Sequence, residues 1–160
     1  MVPAHINVSK RRLILAAAAL VGTAVTRPLF AATEAPLVEV WLDPGCGCCK
    51  DWIAHLEANG FRTKVFSTGN AAVREQFGMP VKYGSCHTAR VGGYTIEGHV
   101  PARDIQRLLR EKPVAAGLAV PAMPIGSPGM DGPVYGGRKD PYNVLLVLKD
   151  GSSRVFQSYS

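Results

Sequence analysis

The hydrophobic period changes several times along the chain, and each change predicts an element. Leu37-Val38-Glu39-Val40-Trp41-Leu42 is β-branched and apolar and predicts a strand, broken by Asp43-Pro44-Gly45. From Cys48 to Asn59 the spacing turns helical. Trp52, Ile53 and Leu56 share one face there, and Gly60 supplies the stop. Phe61, Thr63 and Val65 then alternate with Arg62, Lys64 and Phe66, the period of a second strand. Asn70 to Phe77 reads as a second helix, ended by Gly78-Met79-Pro80.

Thr88–Val91 and Tyr94–Ile96 flank Gly92-Gly93 and predict a hairpin. Pro101 suits the first position of a third helix, with Ile105, Leu108 and Leu109 on its apolar side and Pro113 as its stop. Arg103, Arg107 and Arg110 read as that helix's solvated face. Residues 113–141 are rich in Gly and Pro and read as one long loop carrying Met123 and Met130. Asn143–Leu148 and Arg154–Gln157 flank Asp150-Gly151 as a second hairpin. No internal repeat appears. The order β-α-β-α-β-β-α predicts an α/β thioredoxin-like domain. Helices flank its mixed sheet, and the Gly/Pro/Met loop precedes a C-terminal hairpin.

The first residues read as an address. Lys10-Arg11-Arg12 precedes the apolar run Leu13–Val21, the layout of a secretory signal peptide over residues 1–32, with cleavage expected near Ala31 or Ala32. The pair Arg11-Arg12 resembles a twin-arginine signal. The run is short of the about 20 apolar residues that a membrane span needs, so no stable span is expected in the mature form. Residues 33–160 are then one domain in an oxidising compartment, the periplasm of a Gram-negative cell. Composition supports a globular chain, 47% hydrophobic and 19% charged. The net charge of +6 is misleading, because residues 1–32 hold Lys10, Arg11, Arg12 and Arg27 and no acid. The rest is close to balanced, which argues against a nucleic-acid partner.

The chemistry lies in four cysteines: Cys46, Cys48, Cys49 and Cys86. Three fall at the junction of the first strand and first helix, where helix amides and dipole stabilise thiolates. Cys46 and Cys49 form a C-x-x-C pair, a spacing shared by redox dithiols and metal sites. Cys48 is one sulfur more than a dithiol exchanger needs. Cys86, followed by His87, precedes the third strand, where a thioredoxin-like fold faces it toward the first helix. Thiolates select soft ions: Cu(I), zinc and iron–sulfur clusters. Adjacent Cys48 and Cys49 diverge by roughly 100° on a helix, so they bridge several ions more readily than they surround one. Two structural disulfides are the bland alternative.

Three segments carry a resemblance. Cys46-Gly47-Cys48-Cys49-Lys50, Ser85-Cys86-His87-Thr88-Ala89 and the stretch Gly117–Met130 (GLAVPAMPIGSPGM) are together similar to the CopG-like family of exported, thioredoxin-like copper-resistance proteins. The resemblance runs from about Val38 to Phe156, with Ala122 standing where glycine is expected. It implies copper bound by Cys46, Cys48, Cys49 and Cys86, and a part in periplasmic copper handling beside other copper-handling proteins. His87 is a further candidate ligand or orienting residue. The reading is a Cu(I) site of more than one ion, with conversion between Cu(I) and Cu(II) as its redox role. The rivals are a periplasmic thiol–disulfide oxidoreductase, with Cys46 as nucleophile and Cys49 as resolver, and a passive copper metallochaperone. His55 reads as a partly exposed surface residue, His99 as structural, and Met79 as packing. Met123 and Met130 are candidate thioether contacts, or part of a lid.

Overall fold

The computed structural model describes Met1 and residues 34–160. The expected signal segment and its cleavage point lie outside the described residues, Met1 apart.

Seven strands form one mixed sheet in the order β2-β1-β3-β4-β5-β6-β7. They are β1 (Leu37–Leu42), β2 (Arg62–Phe66), β3 (His87–Val91), β4 (Tyr94–Glu97), β5 (Gly117–Ala119), β6 (Tyr142–Val147) and β7 (Ser153–Tyr159). β1 runs parallel to β2 and antiparallel to β3, β3 pairs antiparallel with β4, and β4 runs parallel to β5. The β5–β6 and β6–β7 pairs are antiparallel. The helices are α1 (Gly47–Ala58), α2 (Ala71–Gln76) and α3 (Ala102–Glu111), with 3-10 turns at Val81–Tyr83 and Pro133–Tyr135.

The alternation of β1 decides its two faces. Val38, Val40 and Leu42 are buried with Trp52 and Leu56 of α1 and Ile105 and Leu108 of α3, together with Ile96, Leu118, Val144 and Leu146. Each such side chain contributes about 1.5–3 kcal/mol by leaving water. The Trp52 indole N–H donates to Val100 O at 2.9 Å, so burial leaves it no orphan donor. On the opposite face Trp41 stacks on Phe66, and Met79 packs with Tyr83, Ala119 and Val147.

Two expectations are corrected. Residues 113–141 are not one loop, because Gly117–Ala119 forms β5 between β4 and β6. A Cβ on Gly117 would sit 1.7 Å from Thr95 O, so only glycine lets the strands approach. Pro101 is the N-cap of α3 rather than its first residue, with an extended ψ of 141°.

Candidate metal centre

The turn after β1 delivers three cysteines to the start of α1. The Cys46 amide donates to Asp43 O at 3.0 Å, and Cys46 takes the N-cap position without a side-chain cap. The first-turn amides of α1 therefore lack intrahelical partners beside the sulfurs. Cys49 is buried, and Cys46 and Cys48 are half-buried. Cys46 and Cys49 are joined as a disulfide, with Cα atoms 5.4 Å apart, and Cys48 and Cys86 are free. Pairing of Leu42 with His87 brings Cys86, the residue before β3, over the same helix start. Its Sγ lies 3.9 Å from that of Cys48, which lies 3.6 Å from Cys46 Sγ. All four sulfurs lie within 4.8 Å of one another.

The peptide that carries Cys86 is held from behind. Buried Glu97 accepts the Ser85 amide at 2.7 Å, the Thr88 hydroxyl at 2.6 Å and Arg74 Nε at 2.8 Å. Arg74 Nη2 also donates to Ser85 O at 2.8 Å, which Asn70 Nδ2 reaches at 3.2 Å. Burial raises the Glu97 carboxyl above its ordinary range, opposed by its bonds to Thr88, Ser85 and Arg74. Burial also pushes the Cys86 thiol up to about 12, and the neighbouring Cys48 adds to it.

Two imidazoles flank Cys86. His87 Nδ1 lies 3.4 Å and His99 Nε2 3.1 Å from its sulfur. His99 Nδ1 lies 2.8 Å from Pro128 O, an acceptor only, so Nδ1 carries the proton and Nε2 faces the sulfur as a lone pair. Both rings are buried. Burial lowers the His87 pKa to about 3, with nearby His99 adding to the effect, and burial lowers His99 too.

The segment after β5 crosses this centre. A Cβ on Gly129 would lie 2.6 Å from Cys48 O and 2.8 Å from Trp52 N, so glycine alone permits the contact with α1. The Ser85 hydroxyl donates to Ala122 O, tying the cysteine peptide to the same segment. Met130 is buried, with Tyr135 O–H donating to its sulfur at 3.3 Å, whereas Met123 is 47% exposed.

Known proteins place this arrangement. A family model described as "Protein of unknown function, DUF411" matches residues 83–130. No curated protein sequence matches the chain. The solved structure titled "Copper resistance protein copG- Form 2" is 45% identical, with 79% of this chain aligned to 100% of that one at a TM-score of 0.73. A second, "Copper resistance protein copG- Form 1", is 46% identical over 79% of this chain and 98% of its own, also at 0.73. The chain belongs to the CopG family.

The stretch matched by the family model holds Cys86, His87, His99, Met123 and Met130, and stops short of Cys46, Cys48 and Cys49. Sequence reasoning placed the four cysteines of this CopG-family chain together, and the structure does the same. It did not place His99, read as structural, beside them, where its Nε2 lies 3.1 Å from Cys86 Sγ. The signal was the hairpin register: Thr88 opposite Glu97 carries His99 back to the Cys86 end of β3. His55 is half-buried, as expected, and its Nε2 accepts the Ala102 amide at 3.1 Å, capping α3 from another helix. The arginine face of α3 is not simply solvated. Arg103 donates to Tyr159 O–H at 2.7 Å, and Arg107 lies over the Phe156 ring.

Proposed function

We propose that this CopG-family chain is an exported periplasmic protein that holds Cu(I) at Cys46, Cys48, Cys49 and Cys86, with more than one ion per chain. The copper-resistance relatives support the metal, and four sulfurs within 4.8 Å of one another carry the reading. Once reduced, Cys46 and Cys49 join Cys48 and Cys86 in an all-sulfur set, which favours a soft monovalent ion. Four thiolates held together repel strongly, and the Cys86 thiol is already pushed up, by burial first and by Cys48 second. One Cu(I) cancels one charge, and Lys50 is the one basic residue adjoining the C-x-C-C run in sequence. About as many Cu(I) ions as thiolates leaves a neutral core, with each sulfur bridging metals. Such a cluster shares a lost electron over several ions, the physical basis for interconverting Cu(I) and Cu(II). Residues 1–32 serve as the signal peptide. No helix among the described residues is long and apolar enough to cross a membrane. The parallel β1–β2 pair, the antiparallel β3–β4 pair and cysteines at the start of α1 support a thioredoxin-like core.

Competition between Cu(I) and excess Zn(II) on the reduced protein tests the ion. Retained copper is expected, and replacement by zinc would overturn the reading.

The Cys46–Cys49 disulfide favours a second reading, thiol–disulfide exchange. A disulfide-reductase assay on metal-free protein separates the two, since the copper reading expects no turnover.

A further inference from the structure

The chain holds five tyrosines, Tyr83, Tyr94, Tyr135, Tyr142 and Tyr159, and the last two stand apart. Tyr142 and Tyr159 face each other across β6 and β7, with rings parallel to within 2° and centroids 4.6 Å apart. The Tyr159 hydroxyl donates to the Asp104 carboxylate and accepts Arg103 Nε at 2.7 Å. Asp104 is buried in the first turn of α3. Burial raises its proton affinity, opposed by the bond from Tyr159 and by Arg103 and Arg107. The hydroxyls of the other three go elsewhere: Tyr83 donates to Gly151 O, Tyr94 to Pro113 O and Tyr135 to the Met130 sulfur. The Trp52 indole N–H also goes to a carbonyl, that of Val100. A carbonyl or a thioether takes up no proton near neutral pH, whereas a carboxylate does. Burial keeps both phenols of the pair protonated, Tyr159 being raised to about 12 with its bond to Asp104 adding to the effect. A protonated phenol sheds its proton when it loses an electron, so oxidation is easiest where a base stands ready. The pair lines a cleft of about 310 Å³ with His55, Arg103 and Pro128. The Pro128 carbonyl also holds His99 beside Cys86, so the cleft adjoins the metal centre through one residue.

We propose that Tyr142 and Tyr159 form a site of oxidative modification, which traps the one-electron oxidant made when hydrogen peroxide meets bound Cu(I) and closes to a dityrosine cross-link. It rests on the copper reading above for the source of the oxidant only. One Cu(I) gives an electron to a peroxide, and Tyr159 gives the second. The Tyr159 hydroxyl proton passes to Asp104, which releases it to solvent. The peroxide takes up two protons and becomes two waters, and the copper is left as Cu(II). A second Cu(I) and a second peroxide oxidise Tyr142 in the same way, its proton going to solvent. The two phenoxyl radicals join at ring carbons ortho to their oxygens, and the hydrogens on those carbons move to the oxygens to restore two phenols. β7 is the outer strand of the sheet, so its ring can turn from the stack into bonding distance. The cross-link then staples this edge strand to β6.

The test oxidises the full chain in two ways. The Cu(I)-loaded chain receives hydrogen peroxide, and the metal-free chain receives a light-driven ruthenium tris-bipyridyl oxidant with persulfate. Dityrosine fluorescence and peptide mass are read in both. The expected product is an intrachain link between the peptides of Tyr142 and Tyr159, lighter by the two hydrogens lost, formed ahead of any change at Tyr83, Tyr94 or Tyr135. Tyr142→Phe keeps the ring and is expected to abolish it. Asp104→Asn is expected to lower the rate of linking by about tenfold or more, since a positioned proton acceptor typically contributes at least that factor. No link under the light-driven oxidant, or oxidation spread evenly over all five tyrosines, would overturn the proposal whether or not the Asp104 variant folds. A link in the metal-free chain that is missing from a chain with copper counted and bound would overturn the trapping role. A chain that retains no copper sinks the copper reading alone, and the light-driven link then still supports the tyrosine pair as the modified site.

Discussion

Arg74 and Glu97 meet at 2.8 Å behind the peptide that carries Cys86, and the Glu97 side chain is wholly buried. The pair holds both the amide and the carbonyl of Ser85, so an ion pair helps to position the fourth sulfur, which also packs against the core. Glu97→Gln leaves the guanidinium without its counter-charge. A buried pair broken on one side costs about 3–5 kcal/mol. Urea denaturation is expected to show a loss of that order, with faster alkylation of Cys86 in the folded variant. An unchanged unfolding midpoint would deny the pair this role.

Ala122 sits at φ 61°, in the left-handed region, just after Pro121. An L side chain is strained there and glycine is not. Ala122→Gly is expected to stabilise the chain by on the order of 1 kcal/mol, with copper capacity unchanged. Thermal unfolding with and without copper reads both.

These two positions mark how far the sequence could be read. Ala122 stood out in the sequence as a missing glycine, and its backbone angle gives the physical reason. Residues 37–42 and 88–96 were legible because alternation and paired glycines are local signals. β5 was not, since three residues beginning with Gly117 carry too little pattern, and the strand exists because β4 and β6 lie ready on either side. The cysteine cluster was legible because three of its members are neighbours in sequence. His99 was hidden because only the β3–β4 register returns it to Cys86.

His55 predicts a pH effect. Burial lowers its pKa, with Asp131 opposing, and its Nε2 accepts the Ala102 amide as a neutral imidazole. An unfolded histidine titrates near 6.5, at about its ordinary value. The folded value is the lower one, so this contribution is complete above about pH 6.5 and fades as pH falls through the folded pKa. His87 and His99 shift the same way. The informative quantity is thus the difference between the natural chain and His55→Gln in metal-free unfolding at pH 7.5 and 5. The variant is expected to lose less stability on acidification. An equal loss would remove His55 from the account.

Gly129→Ala tests the segment laid over α1. The added methyl would meet Cys48 O at 2.6 Å, at a φ of +85°. A cost of about 1–3 kcal/mol is expected from overpacking and strain together. Cys48 should also become more reactive toward alkylating agents as the segment lifts. Protection of Cys48 equal to that in the natural chain would show that the contact does not cover it.

The central claim, a multi-copper site built from four cysteines, is met most directly by an anaerobic Cu(I) titration of the reduced chain, with copper counted against protein and free thiols counted at saturation. The account predicts more than one copper per chain, about three or four on charge-balance grounds, with no thiol left to alkylate. Cys86→Ser should stay folded and hold less copper. Saturation at a single copper with two thiols still free, or a Cys86→Ser variant that binds as much as its parent, would contradict it.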